Sequence, residues 1–462
     1  MQGCGQVEMW ATREFAGAEF GDMRRTKRLV EIAAGVAKDP QRAYSLACGK
    51  SGAQAISRFF AREEVDLESI LRPHIDQTRN RCEGHKRILA PQDTTVLDFT
   101  DHKAKRGIGP TTASEHSRGL HQHTVMLLTQ EKTPLGIAGV QIWAREDSER
   151  GCAKNRHKRL ICEKESNKWL VGLAQAENAT PRECELVVIG DRESDIFALF
   201  AADRGPNTHL LVRLAHNRSV ESEEHRNTLE AVGDAQCVGA YQIRVPRKPG
   251  QPARDAWLEL KACHVMLKPP RNRTPDIPNK AVSVWIVQAT EMNAPEGVEA
   301  VEWILISTEP MRSLEQAVRA VREYASRWTI EEFHRVLKSG CKVEDMQFED
   351  ADSLIPAIGL SSVVAWRILH MTKLSREEPE MDVSAVASKQ EVTVLVNWLK
   401  ANREKRTEIT TVRDFVRTVA LLGGFLGRKS DGEPGTKVLW QGLRRLEDLL
   451  IGYKLATGQE IR

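Results

Sequence analysis

The sequence contains no Cys-x-x-Cys pair, and its nine cysteines are scattered and odd in number. That excludes a disulfide framework and reads as free thiols in a reducing compartment. Cys152, His157 and Cys162 fall close together, but no second ligand pair accompanies them, which argues against a structural zinc. We find no run of about 18 apolar residues, the length a membrane-spanning helix needs. The first residues, MQGCGQVEMW, lack the basic and apolar regions of a signal peptide. A soluble, cytoplasmic protein without a membrane partner is therefore expected. Net charge is nearly absent as well, at +3 for 462 residues. A nucleic-acid partner must then be argued from where the charge sits, not from its total. No internal repeat or low-complexity tract is present, which excludes solenoid architectures.

What is there is an ordinary globular composition, 41% hydrophobic and 28% charged. Single cores stop growing at roughly 250–300 residues, so two or three domains are expected. Residues 1–67 read as helical, with Leu29, Ile32, Ala33 and Val36 at helical spacing. Arg24, Arg25, Lys27 and Arg28 cluster just before that stripe. They form either a solvated helix face or a phosphate-contacting surface. From about 85 to 215 the texture turns strand-like, in RILAPQDTTVLDF, HTVMLLT, GIAGVQIWA, ELVVIGD and THLLVRLA. Several of these runs are apolar throughout, as in strands buried on both faces. A helical stretch, ESNKWLVGLAQAEN, separates two of them, which points to a mixed α/β sheet.

Residues 216–300 read as an inserted β-subdomain of short alternating strands and Pro/Gly-rich turns. Eight basic residues stand against two acidic ones between Arg244 and Arg273, so a face along a phosphate backbone is possible beside an ordinary charged surface. The strand VEWILIST follows, and then a segment predicted to be one long helix over 313–340. Ser313 is its expected N-cap, with Gln316 completing a capping box, and Gly340 its expected C-cap. The remainder is helical. Leu443, Leu446, Leu449, Leu450 and Tyr453 make a stripe for packing or for a dimer contact.

Three acidic residues carry the chemical reading. Asp93 lies in QDTTVLDF, Asp191 ends the apolar strand ELVVIGD, and Glu331 lies in the long helix. Acids at strand ends sit where open α/β sheets place ligands. Mg²⁺ takes carboxylate oxygens and fills its remaining positions with water and phosphate. Two such ions can stabilise both the attacking and the leaving oxygen of a phosphoryl displacement. Pro91, two residues before Asp93, is awkward in a central strand and predicts a bulge or an edge. In the long helix, Tyr324, Arg327, Glu331 and Lys338 fall on one narrow stripe if the helix is continuous. An ion-paired solvated face and a phosphate-binding face predict the same residues there.

The segment Tyr324-x-x-Arg327-x-x-x-Glu331-x-x-x-x-x-x-Lys338 resembles the Y-R-E-K signature of bacterial insertion-sequence family-four DDE transposases. The runs QDTTVLDF, GDRESDI, RWTIEEFHRVLKSG, EFGDMRRTKRLVEIAA and LWQGLRRLEDLLIGY resemble that family in order and spacing, so the resemblance covers nearly the whole chain. It implies an α/β, ribonuclease-H-like catalytic core over 68–370 with the β-insertion, a helical DNA-end-binding domain over 1–67, and a helical dimerisation domain over 371–462. It implies that Asp93, Asp191 and Glu331 are catalytic and bind two Mg²⁺ ions, for which Mn²⁺ substitutes. Tyr324, Arg327 and Lys338 would contact transposon-end phosphates. Trp303 would stack on a flipped base, a role its large π-face suits, although a buried core tryptophan is the plain alternative. Arg213 would lie near bent DNA. The run SRGLHQH lacks a tryptophan pair that relatives carry after SRG.

The function implied is cut-and-paste transposition: nicking of transposon ends, hairpin formation and resolution, and transfer of the 3′-OH strand to target DNA. The partners would be transposon-end double-stranded DNA, target DNA and a second copy of the chain on paired ends, in the bacterial nucleoid. Two other readings keep parts of the pattern. A catalytically silent DNA-end-binding regulator would need the basic helix and not all three acids. A ribonuclease-H-type nuclease would cut without strand transfer.

Overall fold

The computed structural model describes residues 6–47, 52–112, 114, 116–147, 158–245, 252–404, 407–428 and 430–458. They form two compact units, each built from several stretches of chain. One comprises Met1–Glu83, Thr94–Arg150 and Glu331–Arg462; the other comprises Gly84–Asp93 and Gly151–Ile330.

The first unit is helical around a central helix. Its N-terminal part holds α1 (Gln6–Phe15), α2 (Met23–Lys38), α3 (Ala53–Phe60) and α4 (Leu67–Cys82). Asp22 caps α2 by accepting from the Arg24 N–H, and Asp66 with Ser69 forms a reciprocal capping box on α4. Strand β1 (Arg87–Asp98) contributes its last residues here, followed by β2 (Gly109–Pro110), β3 (Arg118–Leu128) and β4 (Pro134–Trp143). β3 pairs antiparallel with both β2 and β4.

The other unit is a mixed sheet. β1 runs parallel to β5 (Glu185–Gly190), and β5 parallel to β6 (Thr208–Arg213). Helix α5 (Lys168–Ala179) packs on β5, and the short α6 (Phe197–Ala201) precedes β6. After α7 (Thr228–Gly233) come β7 (Cys237–Val245), β8 (Arg254–Leu267), β9 (Val282–Met292) and β10 (Glu302–Ser307). The expected β-insertion is not a separate sheet. β9 pairs with β10 from Trp285 to Thr290, and β10 pairs with β6, so β7–β9 extend the core sheet antiparallel. An alternating strand with one apolar face can join an existing sheet as well as found a new one, and its local pattern is the same either way. Pro91 makes neither a bulge nor an edge against β5. It is the last residue of the parallel ladder, where its missing N–H costs least.

The segment expected as one helix is three pieces: α8 (Leu314–Ala325), α9 (Trp328–Arg335) and a π-helical turn, Val336–Gly340. Ser313 does cap α8, accepting from Gln316 N–H, but the Gln316 side chain reaches back to Arg312 N–H. At the first joint, the amides of Ser326, Arg327, Thr329 and Ile330 all bond three residues back, to Glu323, Tyr324, Ser326 and Arg327. The Ser326 hydroxyl also donates to Glu323 O, competing with the regular ladder. At the far end the Cys341 amide bonds Val336 O, five residues back. These changes of winding break the continuous periodicity on which a single narrow stripe depended. Gly340 is not the αL cap. A Cβ there would come within 2.9 Å of the Trp440 ring, and Lys342 takes the left-handed conformation instead, at φ 50°.

Back in the helical unit, α10 (Ala351–Glu377) is long and apolar enough to cross a membrane by length and composition, contrary to the reading of the bare sequence. Its most apolar window is 89% buried in the fold. It packs against α2, α3, α4 and β4, and against α12 (Val412–Leu422) and α13 (Thr436–Ala456), which makes it a core helix. α11 (Lys389–Ala401) lies against α12 and α13.

Candidate active site

Asp93 and Asp191 are brought to one sheet edge by strand register. The parallel ladder of β1 and β5 runs from Arg87↔Glu185 to Pro91↔Ile189. That ladder ends two residues before Asp93 on β1 and two residues before Asp191, which follows β5, so the same sheet edge carries both acids. Asp93 lies within β1, two residues past the end of its parallel ladder with β5, and Asp191 directly follows β5. Asp191 is extended (φ −81°, ψ −164°) and its carboxylate accepts from Glu193 N–H at 2.9 Å.

Arg327 closes this corner. Its guanidinium donates to Asp93 at 3.4 Å, with both side chains largely buried. Burial raises the Asp191 carboxyl above the ordinary carboxylate range. The negative charge of Glu193 adds to this, and the Glu193 amide and Arg327 only partly offset it. Tyr324, buried and one turn before Arg327, hydrogen-bonds that guanidinium. Burial lifts its phenol pKa, while the cations Arg327 and Arg213 pull it back. Arg213 ends β6 and donates to Glu302 O at 3.3 Å. Trp303, in β10, is half-buried, with its ring 6.0 Å edge-on from Tyr324. Asp93, Asp191, Arg327, Tyr324, Arg213 and Trp303 thus belong to a single unit.

The other expected residues lie in the helical unit. Glu331 opens that unit's last stretch, in the first turn of α9, four residues after Arg327. Lys338 sits in the π turn. Its amine donates to Val96 O at 2.9 Å and pairs with Glu344 at 3.0 Å, both within the helical unit. Among the described residues, no group of three or more His, Cys, Asp and Glu side chains is close enough to hold a metal ion. A pair of hard carboxylates at one sheet edge still suits Mg²⁺, which is often bound by one or two carboxylates with water and phosphate completing its shell. Cys152 and His157 lie outside the described residues.

In the N-terminal cluster, Arg24 is exposed and pairs with Asp22, and Lys27 is exposed. Arg28 pairs with Glu31 within α2. Arg25 is tied inward, to Phe20 O at 2.7 Å and to Glu64 at 2.9 Å. Of the cationic insertion, Arg244 pairs with Asp255 and Arg254 with Glu291, so that stretch is less positive than its composition.

Two features escaped the sequence reading. Asp195 is fully buried, and the cap of the turn after β5 is Asp191. Thr94, the residue after Asp93, hydrogen-bonds the buried His123 at 2.9 Å. Spacing offers no signal for either, because their partners are distant in sequence.

Residues 7–65 match a transposase DNA-binding family, and residues 363–459 match the Tn5 transposase dimerisation domain. Among solved structures, the chain is similar to a piggyBac transposase synaptic complex with hairpin DNA, at 10% identity and a TM-score of 0.35, covering 87% of this chain and 72% of that one. The two domain matches, at opposite ends of the chain, support a DNA-binding transposase related to Tn5.

Proposed function

We propose that this protein is a DDE transposase of insertion-sequence family four that excises its element through nicked and hairpinned ends and joins the 3′-OH strands to target DNA. The observation that carries the reading is that Asp93 and Asp191 both lie two residues past the end of the β1–β5 parallel ladder, with Arg327 ion-paired to Asp93. Asp191 is held with its burial incompletely compensated. Such carboxylates mark sites that await a further cation or a reaction.

Asp93 and Asp191 are the residues that would hold Mg²⁺, and Glu331 joins them on the sequence motif alone. The bound ions supply activation of the attacking oxygen and stabilisation of the leaving one. The chain's own residues do the rest. Arg327, with five fixed donors, can hold a phosphate while remaining close to Asp93. The Tyr324 hydroxyl and Arg213 flank the same corner, and the Trp303 ring offers a face to an extruded base. Water attacking a phosphodiester releases a 3′-OH, and that hydroxyl attacking the opposite strand closes a hairpin. A second water reopens the hairpin, and the same 3′-OH then attacks target DNA. Each step is an in-line displacement at phosphorus, so one site serves all of them. We assign end binding to residues 1–67, catalysis to 68–370 and dimerisation on paired ends to 371–462. The basic face of α2 and the dimerisation match support the outer two assignments.

The test is cleavage of DNA carrying the terminal repeats that flank the gene, with Mg²⁺, by the full-length protein and by Asp191→Ala. Nicking by the unaltered protein alone, followed by joining of a pre-cleaved 3′-OH end, is the expected result. Cleavage that survives the substitution sinks the assignment.

A further inference from the structure

Asp195 is a buried carboxylate whose four partners are all donors. One oxygen accepts from the backbone amides of Ala215 and His216, at 2.7 and 2.8 Å. The other accepts from Nε and Nη2 of Arg218, at 2.9 and 2.7 Å. The Arg218 guanidinium also reaches the backbone oxygen of Asp195. Arg218 is anchored in turn, its amide to the Thr228 hydroxyl and its carbonyl to the Thr228 amide at the start of α7. This carboxylate therefore joins the segment that follows β6 to the turn that follows β5.

That turn carries Asp191, and it is short and stiff. The Ser194 hydroxyl donates to Asp191 O at 2.6 Å, and the Ser194 and Asp195 amides bond Asp191 O and Arg192 O. A Cβ on Gly190 would collide with the Ser194 side chain, so the turn lies directly on the strand end. Its far end is held only as firmly as Asp195 is held.

We propose that Asp195 is a positioning residue for Asp191 and that Arg218 is its counter-charge, fixing the direction of the Asp191 carboxylate toward a divalent ion. This rests on the reading of Asp191 as a metal-binding carboxylate. Asparagine at position 195 keeps the volume but must turn an NH₂ toward either two backbone amides or a guanidinium, so no orientation satisfies the site. Lysine at position 218 keeps the charge and loses the two-pronged fork.

The experiment is titration of the DNA-free, full-length protein with Mn²⁺, followed by its electron paramagnetic resonance, alongside thermal unfolding. Loss of a partner that orients a ligand weakens metal binding about 10–100-fold. Asp195→Asn should therefore shift the Mn²⁺ titration at least about ten-fold, and Arg218→Lys by less in the same direction. A folded Asp195→Asn protein with an unshifted titration overturns the proposal, because a purely structural role moves the melting temperature alone. Should Asp195→Asn not fold, an unshifted titration of Arg218→Lys overturns it equally. Asp191→Ala separates the two levels. If that variant still binds Mn²⁺ like the unaltered protein, the reading of Asp191 itself fails. If it loses Mn²⁺ while the Asp195 and Arg218 variants do not, only the positioning role fails.

Discussion

Two acids, one in each unit, sit in opposite electrostatic circumstances. In the helical unit Glu14 is completely buried, with its carboxylate against His74 at 2.7 Å and Arg81 at 2.8 Å. Burial opposes its ionisation, but the hydrogen bonds from His74 and Arg81 and the charge of Arg81 outweigh it and bring its pKa down to about 2. His74 donates from Nδ1 to Glu14 and accepts the Ile137 amide at Nε2, which fixes a neutral tautomer; burial lowers its pKa accordingly. Arg81 lies 4.4 Å over the Trp366 ring, so the cation has a second partner. In the sheet unit Asp191 has the backbone amides of Glu193 and Ser194 and the charge of Arg327, and its pKa is still raised by burial. A buried acid with every lone pair answered serves the fold, whereas a partly buried acid whose burial outweighs its partners is the kind found at functional sites.

Substituting each acid is the most direct way to break this comparison. Asp191→Asn should lower nicking of end DNA by about a thousand-fold or more, the scale expected when a main transition-state stabiliser is removed. The same variant should melt no lower than the unaltered protein, since it removes an under-compensated charge. A fall in its melting temperature would place Asp191 with Glu14 as a structural acid. Glu14→Gln should do the reverse. It leaves the Arg81 charge short of its partner and should cost about 3 kcal/mol in denaturant unfolding, the low end for breaking a buried pair. Unchanged stability would show that the network is not a structural one.

A pH series sharpens the contrast within the helical unit. His370, buried with Nδ1 at 2.9 Å from Pro134 O, has its pKa pushed down to about 4 by burial and by nearby Arg81. Its folded pKa lies below the unfolded one, so its contribution is fully present above about pH 6.5 and is lost as pH falls toward 4. His370→Gln keeps a donor without the titration. It should flatten the loss of stability between those pH values by up to about 3 kcal/mol, and an identical acid slope would refute the assignment. The smallest effect is expected on the surface. Lys27→Ala, at an exposed position of α2, should leave stability unchanged and reduce the salt dependence of end binding by about one counterion. Arg25→Ala, by contrast, should lower stability, because Arg25 is tied to Phe20 and Glu64.

Much of the secondary structure was legible because it is a local property. The runs around Asp93, Asp191 and Trp303 are apolar and β-branched enough to be strands wherever they are placed. The stripe through Leu29, Ile32 and Val36 is helical by spacing and is buried as spacing implies. The break at Ser326 and Arg327 was not legible. It arises from a few amides choosing a carbonyl one residue nearer, a difference smaller than any propensity records. The extension of the core sheet by β7–β9 was equally hidden, because an alternating strand does not state its partner. The roles of Arg25 and of the insertion's arginines were hidden too, since an acid distant in the chain decides whether a cation faces outward. Both compact units are also discontinuous, so a boundary drawn along the chain cannot trace them.

By itself the sequence determined which residue types stand along the chain and which segments would be strands and helices. Those depend on side-chain type and on periods of two and 3.6 residues. Only the tertiary structure decided that Arg327 pairs with Asp93 and offsets the charge of Asp191, and that Asp195 is enclosed by four donors. Strand register and buried ion pairing join residues far apart in the chain, and their energies exist only once the chain has brought them within a few ångströms.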